Sequence, residues 1–267
     1  MSELELHVYD DKTDLSKSVA IIGFPSLGLV SSIAASYMSK ELKLNLIAGI
    51  TSQEFPPYTI IQNSKPMPQI RMYAGCREAQ LFQAGWCNAG CREDKAVGGM
   101  EECDDIVVIT SEFVPKDGMN YRVSELLIDW LKENGIKTVL VLDGIPLFGE
   151  DNYILLGAGS TESARVQMKE YGIESFEEGM VRGMTALLLM EGAEKNVDVI
   201  AMLGSAKADV PDPKGAAKIM EFLAKMLPEL KIDTAPLFKE ADELEKRIAS
   251  QQIPETTSSV GDRVLYR

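Results

Sequence analysis

Short runs of consecutive apolar residues alternate with stretches of helical period along most of this chain, and that alternation limits the possible folds sharply. Val19-Ala20-Ile21-Ile22 and Ile106-Val107-Val108-Ile109 are apolar runs of strand length, the pattern of strands buried on both faces. After the second run, Val123, Leu126, Leu127, Trp130 and Leu131 fall at i, i+3, i+4, i+7 and i+8, one face of a helix that Gly135 ends. Strands over 138–142 and 197–203 bracket helices at about 161–171 and 181–193, with a shorter strand at 154–156. Asp212-Pro213 reads as a helix start, a capping carboxylate before a proline at the first helical position. Strands alternating with helices predict an α/β fold, a three-layer α/β/α sandwich with a mostly parallel central sheet.

The N-terminal half carries the same signals more faintly. Leu4-Glu5-Leu6-His7-Val8 alternates like a strand, and Val30, Ile33, Ala34, Tyr37 and Met38 have helical spacing. Residues 45–50 read as a strand that Pro56-Pro57 breaks. Residues 58–61 and 70–73 read as a strand pair joined by the Asn63-Ser64-Lys65-Pro66 turn.

Past Pro228 the pattern changes. Leu237, Ala241, Leu244 and Ile248 recur at 4-3-4 spacing, the narrow seam of a helix over 236–252. Such a seam either packs on its own core or is shared with a neighbouring subunit in a homo-oligomer. Residues 253–267 are polar and aperiodic up to their last few positions, as in a flexible tether. The division expected is an α/β core over 1–235, an inserted Cys- and Gly-rich loop over 74–104, the C-terminal helix and the tail.

Charge and composition narrow the function. A net charge of −14 with scattered basic residues repels a phosphate backbone, so nucleic acid is a poor partner. No apolar stretch approaches the ~20 residues needed to span a bilayer, and no export signal opens the chain, so a cytoplasmic protein with no membrane partner is expected. His7 is the one histidine and sits in a strand pattern, which leaves Ser-His-Asp and Cys-His catalysis without its imidazole. No catalytic residue is assigned, and no cofactor is expected.

Three glycine turns imitate phosphate cradles. Gly23-Phe24-Pro25-Ser26-Leu27-Gly28 has the glycine spacing of a P-loop, but Leu29-Val30 stands where Lys-Ser/Thr is required. Gly157-Ala158-Gly159 is followed by Glu162 where a dinucleotide fingerprint needs its third glycine. Gly179 to Gly183 reads as a close helix–strand approach. Of Cys76, Cys87, Cys91 and Cys103, only Cys87-x3-Cys91 has metal-ligand spacing, so no metal site is assigned. Gly75-Cys76-Arg77-Glu78 recurs as Gly90-Cys91-Arg92-Glu93, which suggests a local duplication. Glu101-Glu102 and Asp104-Asp105 point to alternate sides of an extended chain and read as a solvated acidic loop.

The sequence closes with Val264-Leu265-Tyr266-Arg267, apolar groups at the end of a polar tether. The pattern is hydrophobic, tyrosine, any residue. A carboxylate flanked by two anchoring side chains suits capture in a pocket lined by backbone donors or a lysine.

Phe24-Pro25-Ser26-Leu27-Gly28-Leu29-Val30, Glu54-Phe55-Pro56-Pro57 and Ile70-Arg71-Met72-Tyr73 resemble the N-terminal signature of the PAC2 family, the archaeal relatives of proteasome assembly chaperones. Gly179 to Gly183 and Asp212-Pro213-Lys214-Gly215-Ala216-Ala217 resemble its C-terminal half, and only the cysteine loop departs from the pattern. The resemblance implies a phosphorylase-like α/β/α fold used without catalysis. It implies a homo-oligomer or ring acting on 20S proteasome α-subunits without ATP. It further implies that Leu265, Tyr266 and Arg267 are the tail that enters pockets between those subunits (an HbYX motif). The competing readings are a phosphorylase-like enzyme for a small phosphorylated or nucleoside substrate, and an activator or scaffold of the proteasome.

Overall fold

The computed structural model describes residues 4–251 apart from 12, 77–104, 117, 148, 150–151, 209, 229 and 231. Four strands form the centre of a nine-stranded sheet: β7 (Asp105–Ser111), β2 (Val19–Gly23), β8 (Thr138–Pro146) and β11 (Asp198–Ala206), all mutually parallel. Their side chains alternate between two cores. Ile21, Ile106, Val108, Leu140, Leu142, Ile200 and Met202 point to one, while Ala20, Ile22, Val107, Ile109, Val139, Val141 and Val199 point to the other. Continuous apolar runs are what two-sided burial requires.

Helices cover both faces. On the first lie α1 (Val30–Glu41), α3 (Glu162–Glu170), α5 (Pro213–Met226) and α6 (Ala235–Gln251); on the second lie α2 (Met119–Glu133) and α4 (Gly183–Lys195). The three-layer sandwich is therefore present. Val123, Leu127, Trp130 and Leu131 of α2 are buried, as their spacing predicts. Asp212 caps α5 by accepting from the Gly215 amide at 2.9 Å, with Pro213 at the first helical position.

Parallel pairing gives way at the flanks, so the sheet is mixed. On one side β6 (Ile70–Cys76), β3 (Asn45–Thr51) and β1 (Glu5–Val8) join β7 antiparallel in that order. On the other side β9 (Leu155–Gly159) runs antiparallel to β11 and carries the two-residue β10 (Glu174–Ser175). Three local expectations are corrected here. Residues 58–61 do not pair with 70–73. The hairpin partners are β4 (Ile60–Gln62) and β5 (Lys65–Met67), a separate two-stranded sheet. Asn63 and Ser64 both have positive φ, 50° and 61°, and so make a two-residue turn that leaves Lys65 and Pro66 in the strand. Gly157-Ala158-Gly159 is no turn, because it lies within β9. A Cβ at Gly157 would come within 2.6 Å of Met168 and Ile173, so the glycine admits α3. Gly179 and Gly183 flank a loop, and the close helix–strand approach is instead at Gly192, where a Cβ would lie 2.5 Å from Val199.

Candidate functional site

Ligands of open α/β sheets bind beyond the carboxyl ends of the parallel strands, and in this chain that end lies around the β2–α1 turn. At the end of β2, a Cβ on Gly23 would meet the Ser31 carbonyl at 2.4 Å, which lets α1 start directly over the strand. The Ser31 hydroxyl donates to the Phe24 carbonyl and lies against the Ser26 hydroxyl. Gly28 and Leu29 are both left-handed, φ 60° and 53°, and the Leu29 amide donates to Ser26 O at 2.9 Å. Within this P-loop-like turn the Leu29 and Val30 amides are thus used internally, the latter on Leu27 O.

The turn is also stitched to β11 and α5. Gly28 O accepts from the Asp212 amide at 2.8 Å, and a Cβ on Gly28 would meet the Lys207 carbonyl at 2.7 Å. Asp212, itself buried, accepts from the Gly215 amide and the Lys207 amide at 2.9 Å each, and from the Tyr153 hydroxyl at 3.1 Å. Leu27 covers the end of β8, its carbonyl 2.5 Å from where a Gly144 Cβ would stand. Among the described residues the β2–α1 turn therefore lies directly against the ends of β2, β8 and β11, and Asp212 accepts from three donors of the fold.

Asp143, on β8 beside this turn, is the perturbed carboxylate of the region. Burial pushes its pKa up, partly offset by hydrogen bonds from Thr185 and from the Gly144 amide at 2.7 Å. His7 cannot serve it. That side chain lies on β1, five strands from β8, bonded to Thr51 Oγ1 at 2.8 Å.

A second polar cluster lies on the antiparallel flank. Arg71 of β6 is 4% exposed, and its guanidinium pairs with Glu112, just past β7, whose side chain is 39% exposed. Burial alone would depress the Arg71 pKa, but the hydrogen bond and charge of Glu112 hold it above the ordinary value. Tyr73, two residues along the same face, is raised by burial against the lowering influence of Arg71, and its hydroxyl donates to Gln62 of β4 at 3.1 Å. Beside the cluster, Phe113 meets Phe55 edge-on at 4.9 Å and Tyr58 at 6.2 Å, which anchors the Glu54-Phe55-Pro56-Pro57 segment. Sequence reading assigned no role to Arg71 or Glu112. An arginine inside an apolar strand run was the available signal, because a buried cation needs a partner.

Of the seam on α6, Leu237 and Ala241 are buried within this chain, Leu237 in the α1–α5 core, and Leu244 is half-buried. The side chain of Ile248 lies outside the described residues, as do the anchor residues Leu265, Tyr266 and Arg267. Cys87, Cys91 and Cys103 lie outside them too, and among the described residues no group of three His, Cys, Asp or Glu could hold a metal ion. Among the same residues no helix is long and apolar enough to cross a membrane.

A mixed-sheet α/β/α sandwich with the β2–α1 turn packed against the carboxyl ends of its central strands defines the class. The chain belongs to the PAC2 family, whose model matches residues 20–252. The uncharacterized protein MJ0106 of Methanocaldococcus jannaschii is 25% identical over 258 residues, covering 96% of this chain and 95% of its own. Among solved structures, Pyrococcus furiosus PbaA, described as an archaeal homolog of proteasome-assembly chaperone, superposes with TM-score 0.74 at 24% identity, over 93% of this chain and 91% of its own. Pyrococcus furiosus PbaB, described as an archaeal proteasome activator, gives TM-score 0.73 at 21% identity, over 95% and 100%.

Proposed function

We propose that this chain is a proteasome-binding protein that acts without catalysis or ATP, docking the terminal Leu265-Tyr266-Arg267 into pockets between 20S α-subunits. The observation that carries the reading is that hydrophobic-tyrosine-any sequence on a PAC2-family chain. Names of the structural neighbours point the same way, one a chaperone homolog and one an activator. That Asp212, beside the β2–α1 turn, is taken up by main-chain and tyrosine donors supports a non-enzymatic role.

In this reading Leu265 and Tyr266 fill the pocket, the terminal carboxylate meets a lysine, and the Arg267 side chain contributes little. About fifteen residues beyond Gln252 reach roughly 50 Å when extended, enough to leave the core. One tail binds weakly because ordering it opposes association, and several tails on one homo-oligomer or ring raise the effective concentration. The test is co-sedimentation of the full chain with 20S particles or α-rings. Tyr266→Ala or deletion of 265–267 is expected to abolish binding at unchanged oligomeric state, with Arg267→Ala nearly neutral. Binding by Tyr266→Ala as tight as the parent's overturns the tail reading. Assembly yield and peptide hydrolysis, measured side by side, separate a chaperone from an activator.

A further inference from the structure

We infer that the β4–β5 hairpin is a hinged flap over the β6 face, held closed by the Tyr73–Gln62 hydrogen bond and by Met67 packed on the first core. The hairpin forms its own two-stranded sheet, so it has no ladder bonds to the nine-stranded one. Within itself it is closed tightly: Thr59 Oγ1 donates to Met67 O at 2.7 Å and accepts from the Met67 amide at 3.1 Å. It is tied to the main sheet by the Tyr73 hydroxyl on Gln62 and by Met67 packed on the first core, while Ile61 is left exposed to solvent.

The groups on the sheet side are fixed where the flap rests. Arg71 lies between Gly49 on β3 and Thr110 on β7, both uncharged, so Glu112 supplies its counter-charge and Tyr73 its neighbour on the same strand. Arg71 Nη1 also reaches the Pro68 carbonyl, at the hinge that links β5 to β6, at 3.4 Å. Tyr58, at the other base of the hairpin, meets Phe113 edge-on at 6.2 Å, one residue past Glu112. The Arg71–Glu112 pair thereby holds a guanidinium against the hinge, on the same strand whose Tyr73 grips the flap. Among the described residues the Tyr73–Gln62 bond and Met67 are what tie the hairpin to the main sheet, and a unit so attached belongs to the low-stability end of a fold, where local opening precedes global unfolding.

Hydrogen exchange on the full-length chain tests this. Tyr73→Phe removes the grip alone and is expected to speed exchange of the β4–β5 amides roughly fivefold, the loss of one net hydrogen bond. In the parent the hairpin amides should exchange faster than those of β2 and β8 and with little denaturant dependence, the mark of a local opening. Unchanged hairpin protection in Tyr73→Phe, hairpin amides that share the protection and denaturant dependence of the central strands, or hairpin amides already unprotected in the parent each overturn the flap.

Discussion

At the centre of the sheet β2 and the first half of β8 are apolar on both faces, and beyond the strand ends Asp212 accepts from neutral donors. On the flank β6 carries Arg71 and Tyr73 on one face and Ile70, Met72 and Ala74 on the other, so charge is built into the strand itself. The centre is covered by helices on both sides. The α1-side face of β6 has the hairpin, attached by the Tyr73–Gln62 hydrogen bond and by Met67. A neutral network around a buried carboxylate and an ion pair around a buried guanidinium respond differently to losing one member, and that difference can be measured.

The largest effect is expected from Asp212→Ala. It removes the α5 cap and leaves the Lys207 amide and Tyr153 hydroxyl without that acceptor, for a loss of about 3 kcal/mol. The denaturant midpoint should fall with an unchanged slope. If Asp212→Ala shifts the midpoint no more than an exposed substitution does, the centre is not held by this residue.

The flank should be asymmetric. Glu112→Gln leaves the buried Arg71 without its counter-charge and is expected to lose about 2 kcal/mol, less than a fully buried pair because Glu112 sits at the rim. Arg71→Met leaves a carboxylate that water can solvate and should lose under ~1 kcal/mol. Thermal melts that rank the two the other way round remove the argument that the buried partner sets the energetics.

Asp143→Asn is the smallest expected change and has the opposite sign. The native Asp143 pKa is raised above the ordinary 3.8, so the folded chain holds that proton more tightly than the unfolded one. Its stabilising contribution is present below 3.8 and lost as pH rises through the native value. Asparagine removes the buried carboxylate, so the variant should melt about 1–2 °C higher at neutral pH, with the gain vanishing near pH 3.8. A variant less stable than the parent at neutral pH means that the Thr185 and Gly144 bonds outweigh the burial.

Much of the centre was legible because its signals are local. Apolar runs of strand length, the helical spacing of Val123 to Leu131 and the Asp212-Pro213 cap each depend on neighbours in sequence. The hairpin was misplaced by a few residues because the turn conformation of Asn63 and Ser64, not composition, fixes which residues pair. Gly179 and Gly183 gave the signal of a close approach that Gly192 actually makes, since a glycine does not record whether it serves a turn or a neighbour.

By itself the sequence determined the layer architecture, the C-terminal helix and the family, because period and motif order are written along the chain. Tertiary structure decided where the parallel sheet turns antiparallel, that Leu237 and Ala241 face this chain's own core, and that Asp212 closes the β2–α1 turn. It also decided that Arg71 meets Glu112. These are pairings between residues far apart in sequence, Arg71 with Glu112 and Gly28 with Asp212, and their energies exist only once folding has brought the partners out of water and into contact.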